Sequence, residues 1–471
     1  MANESKSVFK GILLTGICIG LLLGGLGCKK VDKEALARAQ PLTLKVWGVF
    51  DDSDSFNSIF NDYRTLHPYV SIEYRKFRYD EYADEILDAL AEDQGPDIMF
   101  LHDTWMREWQ PRLLPAPSSV SLAFIEVKGG LKKERIVTLK SLPVLTQSQL
   151  KNNFVDAVAA DAIIPTEQSD PRLPLVPQIY GLPMSVDTMV LYYNRDLLNA
   201  AGIAQPPTYW KDFQEDVKLL TKLDETGAII QSGAAIGTSA NVERADDILA
   251  LLMMQNGTAM TDSDGVATFD RYTTETQGQD LPPGAVALVF YNDFANPTKE
   301  VYTWNANMPD SLQAFADGRT AFFFGYQYHL EQIRQLNPKL NFGISSMPQI
   351  EGNKPMNYAN YWLAAASKKT EHPDEAWDLL QFMTKAEEAQ KYVQTAKKPT
   401  ALRSLVNSQL EDLDLAVFAA QVTTARTWYR GTDAAATEEA MLEMIDSMLE
   451  GDADPKRIVE LGATKVNQTV K

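Results

Sequence analysis

The sequence predicts an α/β protein of two lobes, each a mostly parallel sheet flanked by helices. Three observations point there. The chain has 471 residues, more than one ordinary hydrophobic core can organise. Near its start, short alternating apolar runs are interleaved with apolar residues at helical spacing. The same interleaving begins again at Met189–Tyr193.

The first unit reads strand, helix, strand, helix, strand. Leu42, Leu44 and Val46 alternate with Thr43 and Lys45. Phe56, Ile59, Phe60 and Tyr63 lie on one helical face, and Pro68 ends that helix. Val70, Ile72 and Tyr74 alternate again; Tyr82, Ile86, Leu87 and Leu90 mark a second helix. After Gly95-Pro96, Ile98–Leu101 is a continuous apolar run, the pattern of a strand buried on both faces. Ligands of open α/β sheets sit beyond the carboxyl ends of the strands, here Trp47–Asp54 and His102–Trp105. Ser121–Val127 and Arg135–Leu142 read as a hairpin inserted near 120–142, turning at Gly129-Gly130 and carrying Lys128, Lys132, Lys133 and Lys140.

In the second unit, Pro206-Pro207-Thr208 opens a helix carrying Trp210, Phe213, Val217 and Leu220. Ala234–Gly237 is expected as a short strand, and Ile248, Leu251, Leu252 and Gln255 as a helix ended by Asn256-Gly257. Ala321–Phe324 is a buried strand, Ile333 and Leu336 a helix, and Phe342–Ser345 a strand. Pro373 starts a helix carrying Ala376, Trp377, Leu380 and Met383; two further helices follow from Thr437, the second opening at Pro455. Trp47, Trp210 and Trp377 are expected in the core.

Lys6 and Lys10 precede an uncharged apolar run, Gly11–Gly27, that ends at Cys28. A basic segment, a short apolar segment and small residues before a cut site describe a secretory signal. The end of the run resembles the lipobox of bacterial lipoproteins, with Gly25 where that motif usually has Leu. Three outcomes stay open: lipidation of Cys28, an uncleaved membrane anchor, or plain secretion. Residues 28–41 read as a polar tether. The other cysteine, Cys18, lies inside the apolar run, so cleavage would leave no disulfide and no Cys-based zinc site.

Apolar residues make up 45% of the chain and charged ones 23%, as in an ordinary globular protein. The net charge of −19 argues against a nucleic-acid partner and favours solubility. No hydrolase motif of the G-x-S-x-G or H-E-x-x-H type occurs, and no phosphate loop of the G-x-x-x-x-G-K-[ST] type. His67, His102, His329 and His372 are too scattered for a metal cluster, and TDSDG at 261–265 lacks the rest of a calcium loop.

Several blocks, in order, resemble the family 1 extracellular solute-binding proteins, which include the maltose-binding proteins of ABC importers. They are LTLKVWGVFDDSDSFNSIFNDYRTLHPYVSIEY, GPDIMFLHDTW, GLPMSVDTMVLYYNRDLLNAAGIAQPPTYWKDF, FADGRTAFFFGYQYHL, GISSMPQ, SKKTEHPDEAWDLLQFMT and ARTWYRG, spanning about residues 42 to 460. The resemblance implies a periplasmic-binding-protein-like fold with a hinge between the lobes. It places 42–186 and 362–409 in the first lobe, and 187–361 and 410–471 in the second, after a signal peptide at 1–27. It implies a monomer outside the cytoplasmic membrane that closes on a sugar, needs no cofactor or metal, and delivers the sugar to an ABC permease.

A sugar has hydroxyls at its edges and apolar C–H faces, so carboxylates, amides and aromatic rings suit it. Asp51 and Asp103 follow strand ends and match the family's ligand loops, with Trp105 beside them. Asp187 matches a hinge acid, and Asn241 follows a short strand. Tyr326 and Tyr328 follow the AFFFG strand and, if extended, face opposite ways, so one of the two is expected in the cleft. Tyr361 and Trp362 lie near a lobe crossing, and Trp428 matches a late aromatic of the family. The alternatives are the same fold holding a peptide, polyol or metal, a secreted carbohydrate-active enzyme using paired carboxylates such as Asp51 and Asp103, or a structural surface protein without a cleft.

Overall fold

A computed structural model describes residues 33–128, 134–168, 170, 172–451 and 453–470. The signal segment, Cys18, Cys28 and the hairpin turn with Lys132 and Lys133 lie outside the described residues. Two five-stranded sheets form the two lobes. The two expected helices of the first unit bury the residues that their spacing selects, except Leu87, which is half-buried. Phe56, Ile59, Phe60 and Tyr63 are the buried face of Asp54–Leu66, and Tyr82, Ile86 and Leu90 that of Tyr79–Ala91.

The first sheet runs in the order Val70–Phe77, Leu42–Val49, Ile98–His102, Trp362–Ala366, Gly181–Leu182. The first three strands are parallel, as strands linked by helical crossovers must be. Trp362–Ala366 arrives from the other lobe and lies antiparallel to both its neighbours. The second sheet runs Lys222–Leu223, Ile229–Ala234, Thr320–Gly325, Val190–Asn194, Phe342–Ser346. Here only Ile229–Ala234 and Thr320–Gly325 pair in parallel. Val190–Asn194 likewise comes from the opposite lobe and runs against its neighbours. The sheets are therefore mixed where alternation suggested mostly parallel pairing, because local periodicity carries no information on chain direction. The short strand expected at Ala234–Gly237 lies earlier in the chain, at Ile229–Ala234, and shares only Ala234 with the expectation. Beyond it Gly237 turns at φ +114°, and a Cβ there would meet the backbone N of Ala295 at 2.7 Å.

The second sheet is covered on both faces. Leu191, Phe322 and Phe324 join one apolar cluster, while Val190, Tyr192 and Phe323 join another on the opposite face. The first sheet has its own cluster, which takes in Trp47 and Trp377, while Trp210 is buried in the second lobe.

A third, three-stranded sheet lies at the crossings. Asn357–Asn360 is its middle strand, parallel to Ala425–Arg426 and antiparallel to Asp187–Thr188, with Asn360 opposite Asp187. Gly181–Leu182 leads through Asp187–Thr188 to Val190–Asn194, and Phe342–Ser346 leads through Asn357–Asn360 to Trp362–Ala366. The chain thus passes between lobes as paired backbone.

Within the stretch read as a tether, Lys33–Arg38 is a short helix. Ala35 and Ala39 are buried, and Arg38 pairs with Asp374 at 3.1 Å. The inserted hairpin, Ser119–Lys128 with Glu134–Pro143, is rooted in the first core: Val120, Leu122 and Ala123 are buried, while Val127 further out is 63% exposed. Among the described residues, no helix is long and apolar enough to cross a membrane.

The two ends of the hairpin should differ in energetic weight. Leu122→Ala is expected to cost about 2–5 kcal/mol and Val127→Ala less than about 0.5 kcal/mol, read from urea unfolding of the two variants.

Candidate functional site

A cavity of about 730 Å³ opens where the two large sheets meet the crossing strands. Its first-lobe wall comes from the loops after Leu42–Val49 and Ile98–His102, as the strand-end rule requires. Its second-lobe wall comes from the starts of the helices Ala245–Gln255, Gln327–Leu336 and Ala434–Ser447.

Eight of the ten residues expected at a ligand site line this cavity: Asp51, Asp103, Trp105, Asp187, Tyr328, Tyr361, Trp362 and Trp428. Two do not. Asn241 is a structural brace. Its Nδ2 donates to the carbonyls of Asn305 (3.0 Å) and Met308 (2.9 Å), and its Oδ1 accepts from Trp304 Nε1 (3.1 Å) and Thr238 Oγ1 (2.5 Å). Tyr326 is fully buried and its hydroxyl donates to Asp247 Oδ2 at 2.6 Å. The segment is not extended there: Tyr326 caps a helix and Tyr328 sits in its first turn, so their rings stack 5.9 Å apart instead of facing opposite ways. Tyr328, 42% exposed, is the one that reaches the cavity.

The carboxylates differ in how far they are already committed. Asp51 is paired with Lys398 Nζ at 2.7 Å and accepts from the Tyr392 hydroxyl at 2.8 Å. Asp187 accepts from the backbone N–H of Thr188 (2.8 Å) and of Gln327 (2.9 Å), so it also caps the helix Gln327–Leu336. Burial still pushes its carboxyl up to about 7, against those two donors. Asp103 is buried beside the Tyr361 backbone. Burial and the nearby Asp161 hold it well above the ordinary carboxylate range. His102 Nε2 faces two oxygens, Asn360 Oδ1 at 3.0 Å and Asp103 Oδ1 at 3.2 Å, while Nδ1 lies 2.8 Å from the Thr104 hydroxyl. Burial pulls this imidazole down to about 4, which keeps it neutral. Tyr361 sends its hydroxyl inward to Asp161 at 2.6 Å. Asp161 also accepts from Thr427 and pairs with Arg430 at 2.8 Å.

Several cavity residues are absent from the sequence-based set: Phe50, Tyr79, Arg244, Asp246, Asp247 and Glu438 among them. On the second-lobe side, Arg244 sits at φ +55° and bonds Asp247 Oδ2 at 2.8 Å, with Asp246 at 3.8 Å. Burial, then the charge of Asp247, pushes Asp246 up to about 7. A signal for these residues was present, since Arg244, Asp246 and Asp247 are charges at the start of a helix that is otherwise apolar, ILALLMM. Opposite them stands an aromatic wall. Phe50, Tyr79 and Trp105 form a near-parallel series with centroids 5.8 and 6.0 Å apart, backed by the buried Trp109 6.4 Å behind Trp105. Trp362 is set edge-on to the first three, at 5.7, 6.2 and 5.4 Å. Both sets line the same cavity, and the charges of Glu438 and Arg244 reach the Tyr79 phenol. Rings on one side and carboxylates with a guanidinium on the other can hold a molecule that has an apolar face and a hydroxylated edge.

The raised carboxyls set the sign of a pH dependence. Asp246 and Asp187 hold protons in the folded state up to about pH 7, whereas a free aspartate ionises near 3.8. The folded protein therefore binds more protons than the unfolded chain between those values, and this contribution to stability is lost as pH rises through 7. The melting temperature of the ligand-free protein is expected to fall by a few degrees from pH 5 to pH 8, and Asp246→Asn to flatten part of that fall, measured by calorimetry.

Comparison with known proteins places these features. A family model described as bacterial extracellular solute-binding protein matches residues 47–390. The galactooligosaccharide-binding protein of Bacillus subtilis is 23% identical over 351 residues, covering 72% of this chain and 75% of that one. The structure is similar to the cyclic alpha-maltosyl-1,6-maltose binding protein from Arthrobacter globiformis, with a TM-score of 0.70 at 18% identity, covering 92% of this chain and 99% of that one. It is also similar to a cyclo/maltodextrin-binding protein complexed with maltotetraose, with a TM-score of 0.67 at 15% identity, covering 91% and 97% of the two chains.

Proposed function

Given that this chain belongs to the bacterial extracellular solute-binding proteins, we propose that it is the sugar receptor of an ABC importer, closing on an oligosaccharide between its lobes and passing it to a membrane permease. The observation that carries this reading is the facing of the aromatic wall by the Arg244–Asp246–Asp247 group across one cavity. The sugar-binding relatives and the sugar-bound structural neighbours support it. Asp51, Asp103, Trp105, Asp187, Tyr328, Tyr361, Trp362 and Trp428 are assigned to the binding surface. No reaction is assigned to the carboxylates.

The lobes are proposed to divide as 42–186 with 362–409, and 187–361 with 410–471. The apolar clusters support this division, one in the first lobe and two on the faces of the second sheet, although Ala359, Tyr361, Val422 and Ala425 pack in the first-lobe core. Ligand contacts from both walls favour the closed state, because only differential affinity shifts such an equilibrium. The receptor is placed at the outer face of the cytoplasmic membrane, monomeric and lipid-anchored at Cys28.

Thermal-shift titration with maltotetraose, galactooligosaccharides, polyols and peptides tests the reading. A rise in melting temperature with a neutral oligosaccharide, recovered unaltered, is the expected result, by mass action on the folded state. A shift with peptide alone would sink the sugar assignment, and a cleaved oligosaccharide would sink the receptor assignment.

Two variants separate binding from bracing. Tyr328→Ala should weaken binding by about five- to thirtyfold, on the order of 1–2 kcal/mol, with little change in melting. Asn241→Ala strands two buried carbonyls and the Trp304 N–H, and should cost about 1–3 kcal/mol of stability with affinity nearly unchanged. Calorimetric titration and urea unfolding read the two effects.

A further inference from the structure

Phe50 occupies a backbone conformation that its own residue type disfavours. Its φ is +62°, and Asp51 N–H donates to the Val49 carbonyl at 2.6 Å, which closes a three-residue γ-turn around it. A bulky aromatic at the centre of such a turn is strained. Burial does not compensate, because Phe50 is 57% exposed. Its surroundings hold the turn in place. Val49 is locked in the parallel ladder opposite Phe77, the Tyr74 hydroxyl donates to the Asp51 carbonyl at 2.8 Å, and Lys398 and Tyr392 hold the Asp51 carboxylate.

The result is an exposed ring at the outer end of the aromatic series, stacked on Tyr79 at 5.8 Å and 21° and edge-on to Trp362. Folding gains little from a ring so placed. A ligand does gain, because the ring is presented without any rearrangement.

We propose that Phe50 is a binding residue that decides which glycans the cavity accepts: a neutral sugar ring lays its apolar C–H face on Phe50 and turns its hydroxyl edge to the opposite wall. The inference rests on the sugar-receptor reading and extends it to a charge class. The facing wall carries Asp246, Asp247 and Glu438, and its cation, Arg244, is already bonded to Asp247. A carboxylated or phosphorylated sugar set between the ring and that wall would meet the Glu438 carboxylate and a guanidinium already taken by Asp247, so its own charge would find no partner there.

The test uses Phe50→Gly, Phe50→Ala and Phe50→Tyr in the full chain, titrated calorimetrically with maltotetraose, galactooligosaccharide and cellotetraose, and with a glucuronate-terminated tetrasaccharide as charged control. Glycine relieves the left-handed strain and alanine keeps it, so ligand-free Phe50→Gly should melt a few degrees above Phe50→Ala. Both should lose at least about tenfold in affinity for the neutral sugar that wild type binds, and Phe50→Tyr should retain it. The charged control should bind wild type at least about tenfold more weakly than its neutral counterpart. Wild-type affinity in Phe50→Gly for a sugar that wild type binds would overturn the proposal and leave the receptor reading standing. Equal binding of the charged control would overturn the charge class. Failure of wild type to bind any of the sugars would overturn both readings.

Discussion

The backbone pairing at the lobe crossings is the constraint on which the rest of the molecule depends. Chain that leaves one sheet for another carries N–H and C=O groups that need partners. Here Asp187–Thr188, Asn357–Asn360 and Ala425–Arg426 provide them for one another. That pairing places the residues around it without recourse to loops. Ser185 and Asp187 on one crossing, and Tyr358 to Trp362 on the other, reach the cavity because the ladder holds them there. It also orders the two large sheets: the strand that continues each crossing is the one that runs against its neighbours.

Around that junction the cavity divides its chemistry. The first-lobe wall is dominated by stacked rings. The second-lobe wall concentrates a guanidinium and carboxylates at the N-terminal ends of helices. Most of the charges on both walls are satisfied before ligand enters. Asp51 has Lys398 and Tyr392, Asp247 has Arg244 and Tyr326, and Asp187 has two backbone amides. Asp103 and Asp246 are less well compensated, and burial drives both toward the neutral acid. A neutral carboxyl both donates and accepts, which doubles the ways it can meet a hydroxyl.

Much of this was legible in the sequence, for identifiable reasons. Strands such as Leu42–Val49 and helices such as Asp54–Leu66 announce themselves by period, and the loops after parallel strands are where ligands sit, so strand-end position together with the resemblance to the family's ligand loops pointed to Asp51, Asp103 and Trp105, which line the cavity. Strand direction was not legible, because alternation reads the same forward and backward. Asn241 and Tyr326 looked like ligand residues because a polar or aromatic residue after a strand is common to binding sites and to braces. Only the partners distinguish them: two carbonyls and an indole for one, Asp247 for the other. Phe50 and Tyr79 were missed for the opposite reason. An aromatic beside a strand end is ordinarily core, and nothing in the sequence shows that Val49–Asp51 folds into a turn that lifts the ring out.

The short helix Lys33–Arg38 bears on how the parts can move. It packs against the hairpin base and pairs with Asp374, so the chain enters the described structure through the first lobe. The C-terminal helices Ala434–Ser447 and Pro455–Asn467 belong to the other core. Whatever grips the residues before Lys33 therefore grips one lobe only. Were that segment held and the lobes to close as proposed, the aromatic wall would stand still as a fixed jaw and the acid-bearing lobe would be the part that travels.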